Sequence, residues 1–165
     1  MVRDLVKALN EEPVAGKACA LAILVGIVGH LLPWCRQEEL GNVTRIGLAI
    51  GGSGLVSSIL LIAALSTFLH LALSDISLTA QKYIGLFLIL LPLIALACQV
   101  QFWMQTGETH IIKDGDMKLI LRDAFHAAWG FYLSFICTFV AVFSGAARIE
   151  AFAVPKKVGG RSGTH

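Results

Sequence analysis

The stretch YIGLFLILLPLIALACQVQFWMQTG, residues 83–107, runs for 25 positions without an Asp, Glu, Lys or Arg. Crossing the ~30 Å hydrocarbon core of a bilayer takes about 20 mostly apolar residues in an α-helix. Residues 83–107 therefore predict a transmembrane span. Working outward, three more charge-free stretches occur at 18–35, 46–74 and 124–147. The four together hold 96 of the 165 residues, and all 24 charged residues fall in the other 69.

This segregation predicts an all-α polytopic membrane protein: a four-helix transmembrane bundle over 18–147, preceded by an amphipathic segment at 1–17 and followed by a flexible basic tail at 148–165. Composition agrees, with 15% charged residues against about 25% in soluble domains, and a mean hydropathy of +0.77. A soluble enzyme, a disordered chain and a free nucleic-acid binder are excluded. The formal net charge of +2 is too small to announce an acidic partner.

Residues 1–17 mix Arg3, Asp4, Lys7, Glu11, Glu12 and Lys17, unlike the short basic start of a cleaved signal peptide, so the first span is expected to stay as an anchor. Lys and Arg number eight in the N-terminal segment, the second loop and the tail, against five in the first and third loops. The positive-inside tendency then places both termini in the cytoplasm, in the plasma membrane or an endomembrane. Val2, Leu5, Val6 and Leu9 lie at helical spacing, giving an amphipathic surface helix that Pro13 ends.

The second span begins with Gly47-Leu48-Ala49-Ile50-Gly51-Gly52-Ser53-Gly54, a GxxxG pair at Gly47 and Gly51, with Gly54 and Ser58 at the same spacing. Small residues four apart let a neighbouring backbone approach closely, which matters where lipid offers no hydrophobic drive between helices. Gly130 and Ser134 repeat the pattern in the fourth span. Gly47, Gly51, Gly54, Ser58, Gly130 and Ser134 are thus the expected helix-packing interface. Trp34, Trp103 and Trp129 close or open spans and are expected as interfacial anchors. Pro92 predicts a kink in span three, and Gln99 and Gln101 belong on different faces of it. In the third loop, Lys113-Asp114-Gly115-Asp116 reads as a turn, with 117–123 continuing as helix into span four behind an Asp116 N-cap.

Chemistry inside a membrane usually shows as ionisable residues within spans. None of the four stretches carries Asp, Glu, Lys or Arg, so no catalytic residue, cofactor or metal site is expected. Glu108, His110, Asp114 and Asp116 cluster in the third loop without a metal-ligand spacing. The four cysteines read as free thiols, with Cys19 placed where acylation occurs and Asn42-Val43-Thr44 a sequon close to the bilayer. An alternative places a haem between His30 and His126, both toward the outer side, and makes the chain a small redox or lipid-modifying membrane enzyme.

Leu31-Leu32-Pro33-Trp34 after a small-residue-rich first span, Arg45 opening a Gly-rich second, Trp103 closing the third and 128–133, AWGFYL, entering the fourth together resemble the claudin and peripheral-myelin-protein superfamily. The first outer loop differs in being short, with one cysteine, Cys35, and no GLW. The resemblance implies a left-handed four-helix bundle whose role is lateral association. The expected function is an accessory, stabilising or scaffolding subunit packed on a larger integral membrane protein within the lipid bilayer, with no nucleic-acid partner.

Overall fold

The computed structural model describes residues 2–37, 43–49, 52–74, 76–105, 110–114, 117–121 and 126–153. Helix α1, Val2–Glu11, leads into α2, Val14–Leu31. Strands β1, Pro33–Gln37, and β2, Val43–Ile46, follow, then a 3₁₀ turn at Gly47–Ala49 and helix α3, Ser53–Leu73. Helices α4, Leu78–Gly85, and α5, Phe87–Gln105, are separated by a turn at Leu86 and together make the third apolar rod. Strands β3, His110–Asp114, β4, Met117–Leu121, and β5, His126–Ala127, precede α6, Trp129–Ala153.

The protein is an all-α four-helix bundle with four helices long and apolar enough to cross a membrane: Val14–Leu31, Ser53–Leu73, Thr79–Met104 and Trp129–Phe152. It is an integral membrane protein. Around the bundle the order is α2, α6, α5, α3, with the densest packing between α2 and α6. Helix α1 and the last turns of α6 occupy one end, the terminus side, and the strands the other, the hairpin side.

The spans are offset from the charge-free stretches. The first stops at Leu31, because Pro33 ends the helix and Pro33–Gln37 pairs antiparallel with Val43–Ile46. β5 adds on the other edge of β1, Cys35 facing Ala127 and Arg36 facing His126. The strands on either side of residues 38–42 thus belong to a three-stranded sheet. The second span begins at Ser53 rather than at 46, because Ile46 still belongs to that sheet and Gly52, at φ +71°, turns the chain into the helix. Residues 117–121, expected as helix, form a strand instead: β3 and β4 pair from His110↔Leu121 to Asp114↔Met117. Ile, Leu and β-sheet pairing outweigh helical spacing there. The Asp116 N-cap, Glu108 and Asn42 lie outside the described residues, and α6 starts at Trp129.

Three apolar layers fill the bundle. The hairpin-side layer is aromatic, Trp34, Phe102 and Phe131 with Cys35. The middle one is built from small residues, Cys19, Ala22, Ala64, Ala95 and Ala141 around Ile23 and Leu61. On the terminus side Phe68, Leu71 and Leu88 take in Leu9 of α1, which roofs that end.

Pro92 lies inside α5 and cannot donate to the Leu88 carbonyl one turn earlier. α6 brings Gly145 against that carbonyl: a Cβ there would stand 2.8 Å from the Leu88 oxygen. The freed acceptor is thus covered by the one residue type that fits.

Candidate functional site

A polar cluster lies in the middle of the bundle, with a contribution from every spanning helix: His30 from α2, Ser57 from α3, Gln99 from α5, Ser134 and Thr138 from α6. All five are buried. Their hydrogen bonds assign the protons. The His30 Nδ1 stands 2.9 Å from the Gly26 carbonyl oxygen, which only accepts, so Nδ1 carries the hydrogen. It also lies 2.9 Å from Ser134 Oγ. In the neutral ring Nε2 is then the acceptor, and Ser57 Oγ donates to it at 3.1 Å. Thr138 donates to the Ser134 carbonyl at 2.7 Å. With the hydroxyl hydrogens of Ser57 and Thr138 spent, the Gln99 amide has to present its N–H₂ group, which stands 3.0 Å from Ser57, 3.1 Å from Ser134 and 3.0 Å from Thr138. Three oxygens share two hydrogens, and the buried Oε1 of Gln99 has no protein partner among the described residues.

Trp34 seals this cluster from the hairpin side. Its ring is 4.4 Å from His30, centroid to centroid, it packs against Phe102 and Phe131, and its Nε1 donates to the Gly29 carbonyl at 3.1 Å. Gly47 fits beneath the indole, where a Cβ would come within 2.5 Å of the ring. Trp34 is therefore a core residue and not the headgroup anchor expected of it, since the β1 turn carries it back over the helix ends. Trp103 and Trp129 are exposed on the bundle surface.

The haem pair does not assemble. Both His30 nitrogens are engaged, while His126 is exposed in β5 opposite Arg36. Ser57 and His30 have the hydrogen bond of a nucleophile and base, but both are buried to about 1% or less, and the Ser57 oxygen is already held by Gln99. Among the described residues no group of three His, Cys, Asp or Glu side chains converges. His110 and Asp114 belong to β3. Cys19 is fully buried, its Sγ 3.6 Å from the Ala141 carbonyl, which closes it to acylation.

A second polar element occupies the terminus side. Glu12, just after α1, and Arg148, inside α6, form a two-pronged ion pair at 3.0 and 2.6 Å, with side chains only 5% and 2% exposed. Phe68 and Phe152 lie 5.7 and 4.8 Å from the guanidinium carbon. Gly16 makes the space; a Cβ there would collide with the Glu12 carboxylate. Charge counting assigned Arg148 to a solvated tail, whereas α6 continues through it to Ala153.

The expected packing residues have different fates. Gly51 lies outside the described residues. Gly47 sits in the 3₁₀ turn and not on a spanning helix. Gly54 and Ser58 are buried on α3, where Ser58 Oγ donates to the Gly54 carbonyl at 2.8 Å. Gly130 and Ser134 lie in the α6 seam: a Cβ on Gly130 would meet the Pro33 carbonyl at 2.6 Å, and one on Gly29 would meet the Ser134 backbone nitrogen at 2.9 Å. Gly26 and Gly29 of α2 are the close-approach residues that the sequence reading missed; their signal was the run of small residues at Cys19, Ala22, Gly26 and Gly29. Gln99 is buried and Gln101 exposed, on different faces of α5.

Compared with known proteins, the chain matches no family model, no curated protein and no solved structure.

Proposed function

We propose that the chain is an accessory, stabilising or scaffolding subunit that packs laterally on a larger integral membrane protein through the outer face of α6. One observation carries this reading: α6 has two unlike faces. Inward it presents Gly130, Ser134, Thr138, Ala141 and Gly145, small residues consumed by the bundle. Outward it presents Trp129, Tyr132, Ile136, Phe139 and Phe143, with Ile136 and Phe143 exposed by 59% and 61%. These five recur at alternating spacings of three and four, the seam along which one helix packs against another. The outward residues of α2 and α3, such as Leu24, Val28, Ile59 and Ile62, are aliphatic and suit lipid tails. The resemblance to the claudin and peripheral-myelin-protein superfamily favours the same role, and the Lys and Arg distribution favours cytoplasmic termini in a plasma membrane or endomembrane.

The test is purification in mild detergent from the native membrane through a tag after His165, which in intact cells should be reached only after permeabilisation. An integral membrane protein is expected to co-purify, and Ile136→Ala/Phe139→Ala/Phe143→Ala to reduce its recovery at least fivefold. Ile59→Ala/Ile62→Ala on α3 should leave recovery unchanged. Equal recovery with the α6 triple variant, or no membrane protein enriched over an unrelated four-span control, defeats the proposal.

A further inference from the structure

The packing around the bundle is uneven: α2 is tight against α6 and looser against α3. On the terminus side this leaves a groove of about 420 Å³ between α2 and α3, under the edge of α1. Its volume falls in the ~300–1,000 Å³ range of ligand sites. The walls are hydrocarbon, Leu21 and Leu24 from α2, Leu65, Phe68 and Leu69 from α3. Its mouth is polar, with Lys17 and Asn10.

From this geometry we infer that the groove holds an anionic phospholipid of the terminus-side leaflet, one acyl chain along Leu24 and Leu65 and the phosphate at Lys17. Lys17 is the fourth residue of α2, a helix of about 27 Å at 1.5 Å per residue, so its stem starts near the hydrocarbon boundary and its ammonium reaches the headgroup level. The ammonium donates to the Asn10 carbonyl at 3.2 Å, which holds it over the groove mouth. It keeps two donors, and among the described residues no carboxylate lies within 4.0 Å of it. Of the two acids just before it, Glu12 is held by Arg148 and Glu11 lies 4.0 Å from Lys7. An apolar trough that opens to the bilayer and ends at one unneutralised cation is complementary to an acyl chain joined to a phosphate. A basic residue at a membrane surface attracts anionic lipid with about 1 kcal/mol, a factor of about five. This site lies on a different flank from the α6 face, and its test is independent of the lateral-partner proposal.

The purified full chain is placed in detergent, and phosphatidylglycerol and phosphatidylcholine are titrated in turn while native mass spectrometry counts bound lipid. The wild type is expected to retain one phosphatidylglycerol about fivefold more strongly than phosphatidylcholine. Lys17→Gln should abolish that preference and Lys17→Arg keep it, while Lys82→Gln, on another flank, should leave it intact. Leu24→Trp should lose both lipids by filling the trough. An unchanged thermal transition shows that each variant is folded, and a photoreactive acyl chain should label residues near Leu24 and Leu65. The inference is overturned if folded Lys17→Gln keeps the preference, if folded Leu24→Trp binds as the wild type does, or if the label maps away from α2 and α3 or onto a second copy of the chain.

Discussion

The two ends of the α2–α6 seam solve one problem differently. Toward the hairpin side and middle, His30, Ser57, Gln99, Ser134 and Thr138 are neutral and each shares its hydrogen bonds with several neighbours. At the terminus side Glu12 and Arg148 are charged and bond to each other. Deep in hydrocarbon a charge is costly, whereas a dispersed set of hydroxyls, an amide and an imidazole links four helices without one, although the Gln99 Oε1 finds no protein partner among the described residues. Near the surface a two-pronged carboxylate–guanidinium pair flanked by aromatic rings is tolerated. Depth dictates which solution is used, and the second is the more brittle because each charge has one counter-ion among the described residues.

The sharpest way to break the comparison is to orphan one charge. Arg148→Met leaves Glu12 buried and should cost about 3–5 kcal/mol, read as a lowered thermal transition in detergent. Adding Glu12→Gln to it should return much of that loss, and a double-mutant cycle measures the coupling. Additive losses would show that the pair contributes nothing as a pair.

Next in size comes the approach of backbones that brings both polar elements together. Gly29→Val pushes a side chain into the Ser134 backbone and should cost about 1–3 kcal/mol by overpacking. The effect should appear in the thermal transition, with the far-UV helix signal retained. An unchanged transition would mean that α2 and α6 do not meet at Gly29.

The smallest effect is expected in the dispersed cluster. Gln99→Leu removes bonds to two helices, and interhelical hydrogen bonds in membranes average ~0.6 kcal/mol each, so a loss of about 1–2 kcal/mol is expected. Ser58→Ala, which removes only a bond within α3, serves as the zero of that scale. A Gln99→Leu loss as large as that of Arg148→Met would erase the distinction between the two ends.

The four spans were legible in the sequence because hydrocarbon excludes charge, and gaps between charges mark it directly. Their ends were not, since lack of charge does not distinguish helix from strand: Ile46 is apolar, yet the hairpin with β1 claims it. Arg148 escaped for the opposite reason. Counting treats every charge as solvated, and its partner Glu12 is 136 positions away. Of the central cluster, the members were visible as polar residues in apolar runs, and His30, Gln99 and Ser134 stood out individually. Their convergence was not visible, because it depends on helix rotation set by contacts such as Gly29 on Ser134 and Gly145 on Leu88.

The most densely packed pair of helices is also the first and the fourth of the spans in chain order. While the chain is being synthesised, α2 enters the bilayer with an uncovered glycine face, and the Glu12 carboxylate at its base has no counter-ion until Arg148 emerges. A chain stopped before α6 therefore keeps a charge and a smooth groove on display, and completion of the fourth span conceals both in one step. The seam therefore closes only when the fourth span is in place, three helices after the first.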